Sequence, residues 1–136
     1  ICAFPIDKNE IIRAILARPN NLKKIINIVH KEIRKKLNFF LKKNKNKKIV
    51  VLDIPLLIEN KIFNKNDILI FVDSKKKEID KRLKKRLNFN SKLVSMLRNI
   101  QINPKYKKKK SHFVIKNNFR KNEVKKQIKE ILNLIG

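Results

Sequence analysis

Two hydrophobic patterns share this chain. In the first, apolar residues recur every three or four positions. Leu22, Ile25, Ile26, Val29, Ile33, Leu37, Phe40 and Leu41 form one such stripe, which predicts a helix running to about Lys43. Arg18-Pro19-Asn20-Asn21 breaks the chain before it, with Asn20 or Asn21 as the expected N-cap. Further back, Ile11, Ile12, Ile15 and Leu16 give an apolar face to a short helix over about 8–17. Asp7 and Glu10 open it as a capping-box-like pair. Ile79, Leu83 and Leu87 predict a helix over 75–87 capped by Ser74. Leu93, Val94, Met96, Leu97 and Ile100 predict another from Ser91, ended by Asn103-Pro104. Val124, Ile128, Ile131, Leu132 and Ile135 predict the last, with Gly136 at its C′ position.

The second pattern is the short unbroken apolar run. Ile49-Val50-Val51-Leu52-Asp53 reads as a buried strand with an acid at its carboxyl end, and Pro55 stops it from continuing. Asp67-Ile68-Leu69-Ile70-Phe71-Val72-Asp73 reads as a second strand, and Phe113-Val114-Ile115 as a third. The piece between the first two, 54–63, is compact and apolar and reads as one or two helical turns. Two strands so joined fit a right-handed parallel crossover. The order helix, helix, strand, strand, basic helical hairpin, strand, helix is that of an α/β fold. Ligands of open parallel sheets bind outside the carboxyl ends of strands. Asp53, Pro55, Leu56, Leu57 and Glu59 therefore read as the floor of a site. The plain alternative is a strand that ends in a turn.

Composition modifies this picture in three places. A hydrophobic fraction of 42% and a charged fraction of 35% over 136 residues describe one globular domain. The net charge of +26 points to a polyanionic partner. Yet Lys, Asn and Ile dominate everywhere, as codons of A and T alone produce, so drift accounts for most of the charge. Tyr106 is the only tyrosine and Trp is absent, which leaves no stacking platform, and no specific nucleic-acid partner is expected. Cys2 is the only cysteine, which excludes an internal disulfide. His30 and His112 lie far apart without ligand spacing, which argues against zinc. No apolar run approaches the roughly 20 residues that span a bilayer, so no membrane partner is expected and a cytoplasmic setting is the default. Ile1-Cys2-Ala3-Phe4-Pro5 resembles neither a signal peptide nor a natural start, and a piece of a longer chain is expected. Finally, the one glycine is Gly136, so the chain holds no glycine-rich phosphate loop. The excursion between the second and third strands is crowded with Lys and Arg. That suits a mobile helical hairpin closing over a nucleotide, although a basic run such as 105–110 is commonly just a solvated face.

Several segments in this order resemble the dephospho-CoA kinase family. Asp7-Lys8-Asn9-Glu10-Ile11 is similar to the family's Asp-Arg-x-x-Leu helix start. Val29-His30-Lys31 falls where the family has a His-Pro, with Lys31 in place of proline. Asp53-Ile54-Pro55-Leu56-Leu57-Ile58-Glu59 is similar to the Pro-Leu-Leu-Phe-Glu signature, the most specific segment, and Ile70-Phe71-Val72-Asp73 matches the next strand. Arg82, Leu83 and Arg86 resemble the Arg-Leu-x-x-Arg-Asp run, with Leu87 where Asp is usual; Gln101 aligns with a glutamine of the lid. Ser111-His112-Phe113-Val114-Ile115-Lys116-Asn117 falls where the family reads Ala-Asp-x-x-Ile-x-Asn. His112 replaces its Asp, and Phe119 stands where glycine follows the asparagine pair.

The resemblance implies a P-loop NTPase-like parallel sheet flanked by helices with a helical lid, N-terminally truncated so that the chain starts after the phosphate loop. It implies a single partial domain. Residues 1–48 would be a helical acceptor side and 49–73 core strands with their connection. Residues 74–110 would be the lid, and 111–136 the last strand and helix. It implies ATP and Mg²⁺ as cofactors and dephospho-CoA as acceptor. Arg86 and Arg82 would reach the ATP phosphates; for Arg82 a plain surface arginine is the alternative. Asn117 and Gln101 would lie on the nucleotide side, although Asn117 also suits a turn. Pro55, Leu56, Leu57, Glu59 and His30 would shape the acceptor pocket, with core packing as the alternative for the leucines and His30. Asp53 would organise Mg²⁺ through water. Two rival readings remain from the residues: a basic nucleic-acid-binding module, and a P-loop kinase with another acceptor such as a nucleoside monophosphate.

Overall fold

The computed structural model describes residues 7–136. Cys2 and the unusual start lie outside them. The chain divides into two compact units. One comprises the described residues up to Ile62 together with Asn90–Gln101; the other comprises Phe63–Phe89 and Ile102–Gly136.

The first unit is helical. Helix α1 (Lys8–Ala17) starts at Asp7, whose carboxylate accepts the Asn9 N–H at 3.0 Å and so satisfies one orphan donor of the first turn. Helix α2 (Pro19–Lys43) begins one or two residues before the N-caps predicted for it. Pro19 takes its first position, where a missing N–H costs nothing. Asn21 is instead inside the helix, and its side-chain amide donates to the Ala14 carbonyl at 2.9 Å, tying the corner between the two helices. Ile15 and Leu22 are buried where these helices pack. A later helix of the same unit, Ser91–Asn99, also packs on α1 and is capped by the Asn90 side chain, which accepts the Leu93 N–H at 2.9 Å.

The second unit holds the sheet. Strand β1 (Ile70–Asp73) pairs in parallel with β2 (Phe113–Lys116), Ile70 opposite Phe113 and Asp73 opposite Lys116. His112 lengthens the ladder by one residue. Its backbone N–H donates to the Leu69 carbonyl at 2.8 Å, and its Nδ1 accepts the Leu69 N–H at 2.9 Å. Gln127 closes the strand's other edge: it accepts the Lys116 N–H at 2.8 Å and donates to the Lys116 carbonyl at 3.0 Å. Gln127 belongs to the last helix, Lys121–Ile135, whose Ile131 and the strand's Ile115 are both buried. The α/β class read from element order is the one found.

Several expectations are corrected. Residues 49–53 form no strand: they run without a ladder partner, and Val51 is 82% exposed. A strand is stabilised by a neighbour that takes its N–H and C=O groups, and among the described residues this segment has none. The predicted crossover is therefore absent too. Residues 55–61 form consecutive turns rather than helix, and Leu56 and Lys61 adopt left-handed backbone at φ 56 and 49. The second strand keeps only its last four residues. The helix predicted over 75–87 ends at Lys84, which leaves Arg86 and a fully exposed Leu87 in the turn beyond it. Ser74 does not cap that helix; Lys75 precedes it without a side-chain bond. Among the described residues no helix is long and apolar enough to cross a membrane.

Candidate functional site

In the first unit the candidate residues cluster on the loop after Asp53. Left-handed Leu56 turns the chain so that its carbonyl accepts both the backbone N–H and the side-chain amide of Asn60, each at 3.0 Å. The Ile62 N–H then returns to the Leu57 carbonyl at 2.9 Å, and the Ile62 side chain, 4% exposed, anchors the loop's end. Arg34 of α2 donates to the Asn60 carbonyl at 3.0 Å. The loop is thus closed on itself and pinned to a helix. It leaves Leu56, Leu57 and Glu59 half-buried, and Asp53 and Pro55 exposed. His30 is buried on α2. Gln101 is exposed just past the helix Ser91–Asn99, its N–H bonded to the Arg98 carbonyl at 3.1 Å.

In the second unit the arrangement is tighter. The parallel ladder ends where the Asn117 N–H donates to the Asp73 carbonyl at 2.7 Å. Asn117 Oδ1 then accepts the Phe119 N–H at 2.9 Å, and Asn118 Oδ1 accepts the Arg120 N–H at 3.0 Å. Two successive side-chain turns of this kind fix the loop. Asn118 also donates to Glu123, which pairs with Arg120 at 3.1 Å. Phe119 sits at φ 64, a left-handed conformation that favours glycine. Its ring lies under Arg82, with the guanidinium carbon 3.8 Å from the ring centroid. A shallow groove of about 370 Å³ runs beside the loop, floored by Phe119, Val124 and Ile128 and rimmed by Asn117, Lys121 and Lys125. At the tip of β1, the Asp73 carboxylate accepts from Lys108 Nζ at 2.8 Å, drawing helix Pro104–Lys110 to the strand's carboxyl end.

The structure therefore brings Arg82 and Asn117 together through Phe119. Arg86 lies in the exposed turn that follows α3 (Lys76–Lys84). The remaining candidates, with Gln101, belong to the first unit. Sequence reading singled out neither Phe119 as a contact nor the Asp73–Lys108 pair. The Asn-Asn pair was the available signal for the first, since asparagine side chains commonly cap a left-handed residue. Nothing local signals the second. Among the described residues no group of three or more His, Cys, Asp or Glu is gathered as a metal centre, and Asp53 stands as a single exposed carboxylate. One carboxylate is a donor set that fits Mg²⁺ when substrate phosphates and water complete the shell.

The family model for dephospho-CoA kinase matches residues 5–123 of the chain. The chain belongs to the dephospho-CoA kinase family. It is 31% identical over 133 residues to the dephospho-CoA kinase of Wolbachia pipientis wMel, an alignment that covers 96% of this chain and 68% of that protein. It is 30% identical, with the same coverage, to the dephospho-CoA kinase of the Wolbachia of Brugia malayi. The enzyme of that name from Fusobacterium nucleatum is 26% identical over 132 residues, which cover 67% of its length. Family membership implies use of ATP and Mg²⁺ and a role in coenzyme A biosynthesis, and it accounts for a small parallel sheet flanked by helices.

Proposed function

We propose that the chain supplies the acceptor side and the nucleotide-facing loop of an enzyme that phosphorylates the ribose 3′-hydroxyl of dephospho-CoA with ATP. The observation that carries this reading is the family match across residues 5–123, a span containing the Pro55–Glu59 loop, both lid arginines and Asn117. In the reaction the 3′-oxygen forms a bond to the γ-phosphorus, the bond to the β-bridging oxygen breaks, ADP leaves with the electron pair, and the hydroxyl proton passes to a base. Positioning and charge neutralisation dominate such a transfer.

Each residue has a part in this reading. Pro55, Leu56, Leu57 and Glu59 line the acceptor, with the closed loop holding two leucines half-exposed toward it. His30, buried in α2, supports that side rather than meeting solvent. Arg82 and Arg86 approach the ATP phosphates, and a guanidinium suits this because its charge is permanent and its fork takes two oxygens at once. Asn117 and Gln101 belong to the nucleotide side. Asp53 holds Mg²⁺ through water, and the metal when bound neutralises phosphate charge. Residues 74–110 serve as the lid.

Titrating the isotopically labelled chain by NMR tests the assignment. Dephospho-CoA shifts the amides of Leu56, Leu57 and Glu59, ATP shifts those of Arg82 and Asn117, and adenosine monophosphate leaves the 55–59 loop unmoved. Equal response of that loop to adenosine monophosphate refutes the acceptor assignment. The 136-residue chain alone transfers no phosphate, because it contains no glycine-rich loop to cradle the ATP phosphates. Turnover in a coupled ADP assay overturns that expectation.

A further inference from the structure

We infer that Phe119 is the positioning residue for Arg82, and that it makes Arg82 a preformed contact for a phosphate group. The inference rests on the reading above that Arg82 meets a phosphate. Three observations carry it. The guanidinium carbon lies 3.8 Å above the Phe119 ring centroid, a stacking distance. A guanidinium stacked by its face keeps its N–H donors in the plane, pointing outward at the edge, where a phosphate accepts two of them in parallel. Arg82 is exposed, so that edge meets solvent.

Second, the ring is itself held. Phe119 occupies φ 64, where a bulky side chain is disfavoured, and the Asn117 side chain fixes that conformation by accepting its N–H. Asn117 in turn hangs from the carbonyl of Asp73 at the carboxyl end of β1. The chain of contacts therefore runs from the rigid parallel ladder through Asn117 and Phe119 to one guanidinium. Third, Arg86 follows the last turn of α3 in an exposed bend. Of the two arginines, Arg82 is the one oriented before any ligand arrives, and orientation beforehand lowers the entropy lost on binding.

The test reads the Arg82 side-chain Nε–H signal in the labelled chain, assigned by its loss in Arg82→Lys, during titration with inorganic tripolyphosphate. Stacking predicts a ring-current displacement of that signal, retained in Phe119→Tyr and lost in Phe119→Leu. The Phe119→Leu chain is expected to bind tripolyphosphate at Arg82 about threefold to tenfold more weakly, the range set by an exposed to partly desolvated cation–π contact. Phe119→Tyr keeps the affinity of the unaltered chain, and the amides of the 105–110 run respond alike in all three. Unchanged affinity at Arg82 in Phe119→Leu overturns the inference, as does a Phe119→Tyr chain as weak as Phe119→Leu. A signal displaced by the ring yet indifferent to tripolyphosphate in every chain also overturns it. That last result separately locates the failure in the phosphate reading rather than in the stack.

Discussion

Residues 49–53 and 67–73 carry almost the same message in sequence: a short run of Ile, Val and Leu closed by an aspartate. Their outcomes differ. The second run gives β1, bonded residue by residue to β2, and its last carbonyl holds Asn117. The first has no ladder partner among the described residues, with Val51 and Ile49 open to solvent. The difference teaches that an apolar run marks only a candidate strand, while the strand itself belongs to the pair. The same division separates the candidate residues: Asn117 hangs from the ladder, whereas the 55–61 loop is held by turns, one arginine and a buried isoleucine.

Truncation tests this contrast most strongly. Ile115→Ala, in the heart of β2, is expected to cost about 2–5 kcal/mol, while Val51→Ala, on the unpaired run, stays within about 0.5 kcal/mol. Hydrogen exchange at the Asn117 amide, which closes the ladder, measures the first, and exchange at the Ile62 amide, which closes the loop of the first unit, measures the second. A large cost for Val51→Ala means that the 49–53 run is paired after all. Next in size, Asn117→Ala removes the acceptor for the Phe119 N–H and is expected to cost about 1 kcal/mol, read from the same exchange experiment. No loss at all means that the loop does not depend on its side-chain turn.

The 55–61 loop offers an effect of opposite sign. Lys61 sits at φ 49, and a left-handed β-carbon costs roughly 1–2 kcal/mol, partly offset by the greater chain entropy of glycine. Lys61→Gly is therefore expected to stabilise the first unit by about 0.5–1 kcal/mol in denaturant titration. A destabilised variant removes the strain argument. The smallest effect lies on an exposed face of α2. There the Glu32 carboxyl is held below the usual glutamate range, first by the hydrogen bond from Lys35 at 2.9 Å and then by the charge of Lys35. A depressed folded-state pKa means that this contribution is present above the unfolded-state value and is lost as pH falls through the folded one. An NMR titration should place the Glu32 midpoint below that of an unstructured glutamate, and Lys35→Gln should move it upward.

Much of the fold was legible because helices are local. The stripes at 11–16, 22–41 and 124–135 each became a helix, since three- and four-residue spacing determines a face without reference to distant chain. Phe113-Val114-Ile115 became β2. The α3 helix ended three residues early because Arg86 and Leu87 extend its pattern without burying anything: Leu87 is fully exposed. The candidate site was legible to a lesser degree. Pro-Leu-Leu-x-Glu marked a loop whose closure rests on Leu56, Asn60 and Ile62, and no periodicity announces a leucine in left-handed backbone. Phe119 stood out only as a departure from an expected glycine, and its contact with Arg82 spans too much intervening sequence for any local pattern to reveal.

The sequence by itself determined the long amphipathic helices, the α/β class and the family, because these rest on spacing and residue type that survive a strongly biased composition. The tertiary structure alone decided which apolar run became a strand, since a ladder needs a second chain segment at hydrogen-bonding distance. It also decided which arginine is oriented. A guanidinium acquires direction only when a distant residue, here a phenylalanine on a loop fixed by that ladder, is folded beneath it.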